Sequence, residues 1–146
     1  MAVIRGEIGR QWLTHTVANP QQALRIWALD DQLVPVPSSG TWRVVAAPLY
    51  PSIDAMCAIR PTGALGPVLA SVREPLAWWL VPADEADDLA DLRQLNVHPR
   101  GWVLDCPHEG IGSEGRLWLE PPDGSGRLTP AARLGAAFGP AGVTVR

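Results

Sequence analysis

The sequence predicts an α+β domain, a mostly antiparallel sheet with helices packed against it in two layers. Three observations predict it. Runs rich in Val, Leu and Trp (WRVVAAPL, GPVLAS, LAWWLV, WVLDC and RLWLE) have strand length and are cut by Pro, Gly and Ser. The connection from Val72 to Pro75 is short enough for an antiparallel hairpin. Segments with helical spacing lie at the two ends and between the strand runs. At 146 residues one core is expected. The chain then reads as a single domain over 1–146, with a helical N-terminal segment over 1–30, a strand-bearing core over 42–129, and a C-terminal helix and tail over 130–146.

The elements follow in order. From Arg5 to about Thr16, Ile8 and Trp12 stand four apart with Leu13 alongside, which predicts a short helix. Asn19, Pro20 and Gln22 supply a cap, a preset φ and a returning amide, so a second helix runs to about Asp30 and buries Ala23, Ile26 and Trp27. LVPVPSSGT reads as a linker, because Pro35 and Pro37 lack amide donors. WRVVAAPL reads as a strand buried on both faces and ended by Pro48. Ser52 is placed to cap a short helix through Ile53, Met56 and Ile59, closed by Pro61 and Gly63. After the hairpin of GPVLAS and LAWWLV, the leucines Leu89, Leu92 and Leu95 predict a helix between Ala83 and Leu95, its acidic first half suited to the positive end of the macrodipole. WVLDC and RLWLE are expected to pair as a second hairpin across a glycine-rich loop. Thr129 and Pro130 start a last helix to Phe138, Gly139 and Pro140 stop it, and VTVR adds an edge strand.

Composition excludes several chemistries. All twelve basic residues are arginine. A phosphate loop ending in Gly-Lys-Ser/Thr, a pyridoxal Schiff base and the ATP-pairing lysine of kinases all need an ammonium that this chain lacks. A net charge of -3 and a pI near 5.5 argue against broad, sequence-independent nucleic-acid binding, which comes from basic groups displacing counterions. A local arginine patch is compatible with that balance. Only 18% of residues are charged, so exposed apolar surface and a protein partner or self-association are expected. Two cysteines, Cys57 and Cys106, make no disulfide framework, and neither a cleavable leader nor an apolar run near ~18 residues is present. A cytoplasmic protein away from membranes is the expectation.

Candidate sites stand beside plainer readings. Gly110, Gly112 and Gly115 spell G-x-G-x-x-G, but Arg-Leu-Trp-Leu-Glu-Pro follows, a strand with no helix to offer its dipole, so the segment reads as a hairpin loop. His98, Cys106, His108 and Glu109 carry donors that suit zinc. Their spacing matches no common site, and no metal or cofactor is assigned. Asp84, Asp87, Asp88 and Asp91 share one face of the expected helix and read as solvated. Trp78 and Trp79 are adjacent in a strand, so their rings point to opposite faces, one into the core and the other toward a helix, a partner or solvent. Flanked by Arg73 or Arg116, the outward ring would make a base-stacking platform. Gly-x-Ser-x-Gly never occurs, and no nucleophile elbow is visible.

The order of pieces from about Trp42 to Thr129 resembles the later half of the N-terminal domain of bifunctional DNA primase-polymerases. WRVVAAPL, a short helix, GPVLAS, an aromatic strand, a helix and GWVLDCPHEGIGSEGRLWLEPPDGSG look like short actinobacterial relatives of that domain. In that family an Asp-x-Asp/Glu pair after the first strand binds divalent metal, and a histidine two residues after a serine contacts nucleotide phosphate. Here the first place holds Leu49, Tyr50, Pro51 and Ser52 with Asp54 nearby, and the second holds Ser71, Val72 and Arg73. Two-metal chemistry needs several convergent carboxylates. Asp54 supplies one and Asp105 a second if the fold brings it close. The resemblance therefore implies a primase-polymerase-like scaffold that has lost polymerisation and acts as a binding or interaction module. Two alternatives stand beside it: a nucleotide or single-strand binder using Arg73, Arg116, Trp78, Trp79 and Ser71, and a protein-protein module that dimerises through an exposed tryptophan face. The test of the first reading is whether Asp54, Asp105, Arg73 and His108 converge.

Overall fold

A computed structural model describes residues 9–29, 32–108, 110 and 112–139. The first helix, α1, is described over residues 9–13 and runs into a 3-10 turn, Thr14–Thr16. In chain order follow α2 (Pro20–Leu29), β1 (Val34–Pro37), β2 (Trp42–Pro48), α3 (Leu49–Ile59), β3 (Val68–Ser71), β4 (Leu76–Pro82), a 3-10 turn (Ala86–Leu89), β5 (Asn96–Val97), β6 (Val103–Cys106), β7 (Arg116–Glu120) and α4 (Ala131–Phe138). The class is α+β, as the sequence predicts.

Five strands form one antiparallel sheet in the order β5-β2-β4-β3-β7, and β1 pairs with β6 in a separate two-stranded sheet. Within the larger sheet β2 and β3 run in the same direction with β4 between them, and α3 makes the crossover. That is a split β-α-β unit. Continued through the turn Ala86–Leu89 to β5, it has the connectivity of a β-α-β-β-α-β domain whose second helix is reduced to one 3-10 turn.

Strand β2 is buried from Trp42 to Ala47 because both faces of the sheet are covered. On one face Val45, Ala47, Ala77 and Trp79 meet Leu49, Met56 and Ile59 of α3 and Leu134 and Phe138 of α4. Trp79 is fully enclosed there, donates from Nε1 to Ser52 Oγ at 3.0 Å, and meets Phe138 edge to face. On the other face Val44, Leu69, Trp78 and Leu80 meet Leu13, Ala23 and Trp27 of the first two helices and Val36, Leu104 and Cys106 of the small sheet. The expected helix-on-sheet layers are present, and the far face carries this further cover.

Several local expectations hold. Asn19 caps α2, its Oδ1 accepting from the Gln22 backbone N–H, while its Nδ2 donates to Gln22 Oε1. Ala23 and Trp27 are buried, and Ile26 is half-buried. The hairpin β3-β4 pairs Ser71 with Leu76, as the four-residue connection requires.

Four expectations are corrected. The proline segment is not a linker but strand β1. The Ser38 amide, in phase with Val34 and Val36, donates to the Trp102 carbonyl, so Pro35 and Pro37 place their missing donors on the outer edge, where no ladder bond is lost. Ser52 does not cap α3. The helix begins at Leu49, capped by Pro48 without a side-chain bond, and Ser52 lies inside it as the buried partner of Trp79. Between Ala83 and Leu95 no α-helix forms. Successive bonds from Asp88 to Glu85, Ala90 to Asp87, Leu92 to Leu89 and Leu95 to Leu92 all span three residues. Leucines spaced by three fit that tighter period and bury Leu89 and Leu95 without an α-helix. Finally, β6 and β7 do not pair. β6 joins β1, β7 joins β3, and two side-chain bonds span the gap, from Trp118 Nε1 to the Pro107 carbonyl and from Arg116 Nη1 to the Asp105 carbonyl. The expected edge strand VTVR lies outside the described residues.

Candidate functional site

The cover on the far face stops short of one end of the sheet. In register across that face stand Asn96 of β5, Ala46 of β2, Trp78 of β4, Leu69 of β3 and Trp118 of β7. Two residues along each strand toward the open end come Pro48, Leu76, Ser71 and Arg116. Alternation puts both rows on the same face. Above them lies an open groove of about 460 Å³, floored by Ala46, Leu76 and Trp78 and walled by Arg116 on one side and His98 and Trp102 on the other.

Arg116 is the fixed cation of this groove. Its guanidinium carbon sits 4.3 Å from the centroid of the Trp78 ring, and Nη1 donates to the Asp105 carbonyl at 2.7 Å. The ring quadrupole attracts the cation and the carbonyl fixes its orientation. Trp78 itself is 4% exposed and Trp79 0%, so neither ring is an open stacking platform or an exposed dimer face. The two do point to opposite faces, as adjacency in a strand requires.

Of the other residues expected at a site, Ser71 is buried, and its hydroxyl accepts from the Glu74 amide within the β3-β4 turn. Arg73 is exposed on that turn, its aliphatic stem against Gly115. A Cβ at Gly115 would come within 2.7 Å of Arg73 Cγ, and Gly115 has φ +81. This glycine of the G-x-G-x-x-G string therefore serves a tight turn and the passage of Arg73. Trp78 and Arg116 are brought together, Arg73 lies beside that end, and Trp79 and Ser71 belong to the core and the turn.

The second wall was not legible in the sequence. His98 and Trp102 stack face to face, 3.8 Å apart at 4°. Arg43, buried on β2, holds the pair in place: Nε and Nη2 donate to the His98 carbonyl at 3.2 and 3.0 Å, and Nη1 meets Asp87 at 2.8 Å. The Trp102 carbonyl takes the Ser38 amide, and Ser38 Oγ takes the Gly101 amide. Burial holds His98 below its ordinary pKa, which favours the neutral ring. Gln94 and Asn96, both exposed, line the groove at the same end. The turn residues Pro99 and Gly101 around Trp102 are the one sequence signal that marks this wall.

The acidic residues lie elsewhere. Asp54 is exposed on α3, the helix that covers the opposite face of the sheet, and Asp105 is exposed on β6. His108 follows β6, where Arg10 Nη1 lies 3.2 Å from its Nε2, and it lines a separate recess of about 200 Å³. Asp54, Asp105, Arg73 and His108 do not converge, and none of them lines the groove. Burial pushes the Cys106 thiol well above its ordinary pKa, against the thiolate that zinc takes. Among the described residues no group of three or more His, Cys, Asp or Glu is arranged to hold a metal ion, and no helix is long and apolar enough to cross a membrane. Asp84, Asp87, Asp88 and Asp91 are exposed but do not share an α-helical face, since the segment is a chain of turns.

Compared with protein-family models, curated proteins and solved structures, the chain matches none.

Proposed function

We propose that this protein is a non-catalytic binding domain on a primase-polymerase-like scaffold, and that its ligand, a nucleotide or an unpaired nucleic-acid segment, lies in the groove above Trp78. The observation that carries the reading is the placement of the Arg116 guanidinium over Trp78, facing the His98–Trp102 stack across one opening. A planar ring and an anion are the ligand features that such walls complement. The groove of about 460 Å³ falls within the roughly 300–1,000 Å³ of small-molecule sites.

The non-catalytic part draws its support from the acids. In-line nucleotidyl transfer requires carboxylates gathered around two cations. Asp54 and Asp105 stand on opposite sides of the sheet, too dispersed for that task. Dimerisation through Trp78 or Trp79 finds no support, because both rings are enclosed.

The test is a titration of the protein with nucleotides and short single strands at low salt, followed by intrinsic tryptophan fluorescence. Binding should quench the signal, weaken with salt, and fall at least tenfold on Trp102→Ala or Arg116→Gln. No quenching at low salt, or binding indifferent to both substitutions, overturns the assignment of the groove.

A further inference from the structure

The groove has two chemically different ends, and we propose that it takes a single nucleoside 5′-phosphate unit, its phosphate at the Arg116 end and its base at the β5 end, where Asn96 and Gln94 read the hydrogen-bonding edge. This rests on the reading of the groove as the ligand seat.

At one end the Arg116 guanidinium is aimed over Trp78, and Arg73 lies on the adjoining turn against Gly115. Arg116 is the cation inside the groove suited to phosphate, and Arg73, outside its lining, adds charge nearby. At the other end the side chains of Asn96 and Gln94 offer amide donors and acceptors, the pairing that reads a base edge in two directions at once. Trp102 and His98 stand beside them as the flat surface against which the base ring packs.

Distance selects one unit over a strand. Asn96 on β5 and Trp78 on β4 are two strand spacings apart, about 10 Å, and the Arg116 guanidinium sits on Trp78. That span accommodates one phosphate, sugar and base rather than several. Beyond the arginines, the rim carries Glu74, and the chain has a net charge of -3. That overall charge gives a polyanion running past the groove little general attraction.

The experiment is calorimetric titration of the full chain with the four nucleoside 5′-monophosphates, the four nucleosides and inorganic phosphate. One base should be preferred by about tenfold, and loss of the phosphate should weaken binding by a similar factor. Asn96→Ala and Gln94→Ala, at exposed positions, should bring the four bases to within about twofold while leaving the phosphate dependence intact. Arg116→Gln should do the reverse, removing the phosphate dependence and sparing the base preference. Arg116→Lys, which keeps the cation, should retain part of it and controls for loosening of Trp78. Equal affinity for all bases, a preference unmoved by both amide substitutions, or nucleosides binding as tightly as nucleotides would each overturn this inference while leaving the groove as a binding site. Binding of short single strands with no binding of any nucleotide or nucleoside would overturn this inference alone, and failure of all three to bind would remove the parent reading as well.

Discussion

His98 depends on its surroundings for both its place and its charge. Its carbonyl is gripped by Arg43, its ring is stacked on Trp102, and burial lowers its pKa below 6.5. Because the folded value is the lower one, the unfolded chain takes up the proton first as pH falls. The stabilising contribution is complete above pH 6.5 and is lost as the pH drops from there through the folded value. Urea unfolding at pH 8, 6.5 and 5 should therefore show stability declining across that window, and His98→Gln should flatten the part of the decline that belongs to this ring. An identical decline in the variant would show that the ring is not responsible. Arg43 carries the same lesson as His98. Its charge sits inside an apolar strand run, and the His98 carbonyl and Asp87 are the partners that satisfy it there.

Elements succeed or fail according to whether their signal is local. Helix α2 is legible because Asn19, Pro20 and Gln22 act within one turn. The β3-β4 hairpin is legible because four residues admit little else. Strand β1 is not, since its prolines are tolerated only because the partner strand β6 lies on the other edge, 68 to 72 residues away in sequence by the pairing of Val36 with Leu104 and Val34 with Cys106. The segment from Gly66 to β3 shows the same dependence. A Cβ at Gly66 would meet Leu128 Cα and Thr129 N at 2.7 Å, and the Gly66 amide donates to Thr129 Oγ1 at 2.9 Å. Gly66→Ala must push the 128–129 backbone away from the start of β3, at a cost of about 1–3 kcal/mol. Chemical denaturation checks this, and an unchanged midpoint would mean that the two segments part without penalty.

On the scale of the whole molecule, the split β-α-β sheet separates two environments. One face is sealed by α3 and α4, and the other is covered by α1, α2 and the small sheet except at the Trp78 end. Asp54 on the first side and the groove on the second are divided by the sheet itself, and Asp105, on the second side, does not line the groove. Incubation with primed template, nucleotides and Mg²⁺ or Mn²⁺ should accordingly yield no extension product. Synthesis that is abolished by Asp54→Ala would place a working metal site where the fold leaves a solitary acid, and would overturn the non-catalytic reading.

Taken alone, the amino-acid order determined the α+β class, the opposed faces of Trp78 and Trp79, the capped α2 and the β3-β4 hairpin. Each depends on alternation or on contacts within a few residues, which are properties of the local chain. Tertiary structure decided the pairing of β1 with β6, the seating of Ser52 under Trp79, the stack of His98 on Trp102 and the meeting of Arg116 with Trp78. Those join residues far apart in sequence, and their partners are selected by burial and strand register after the chain has closed, so no short stretch carries their signal.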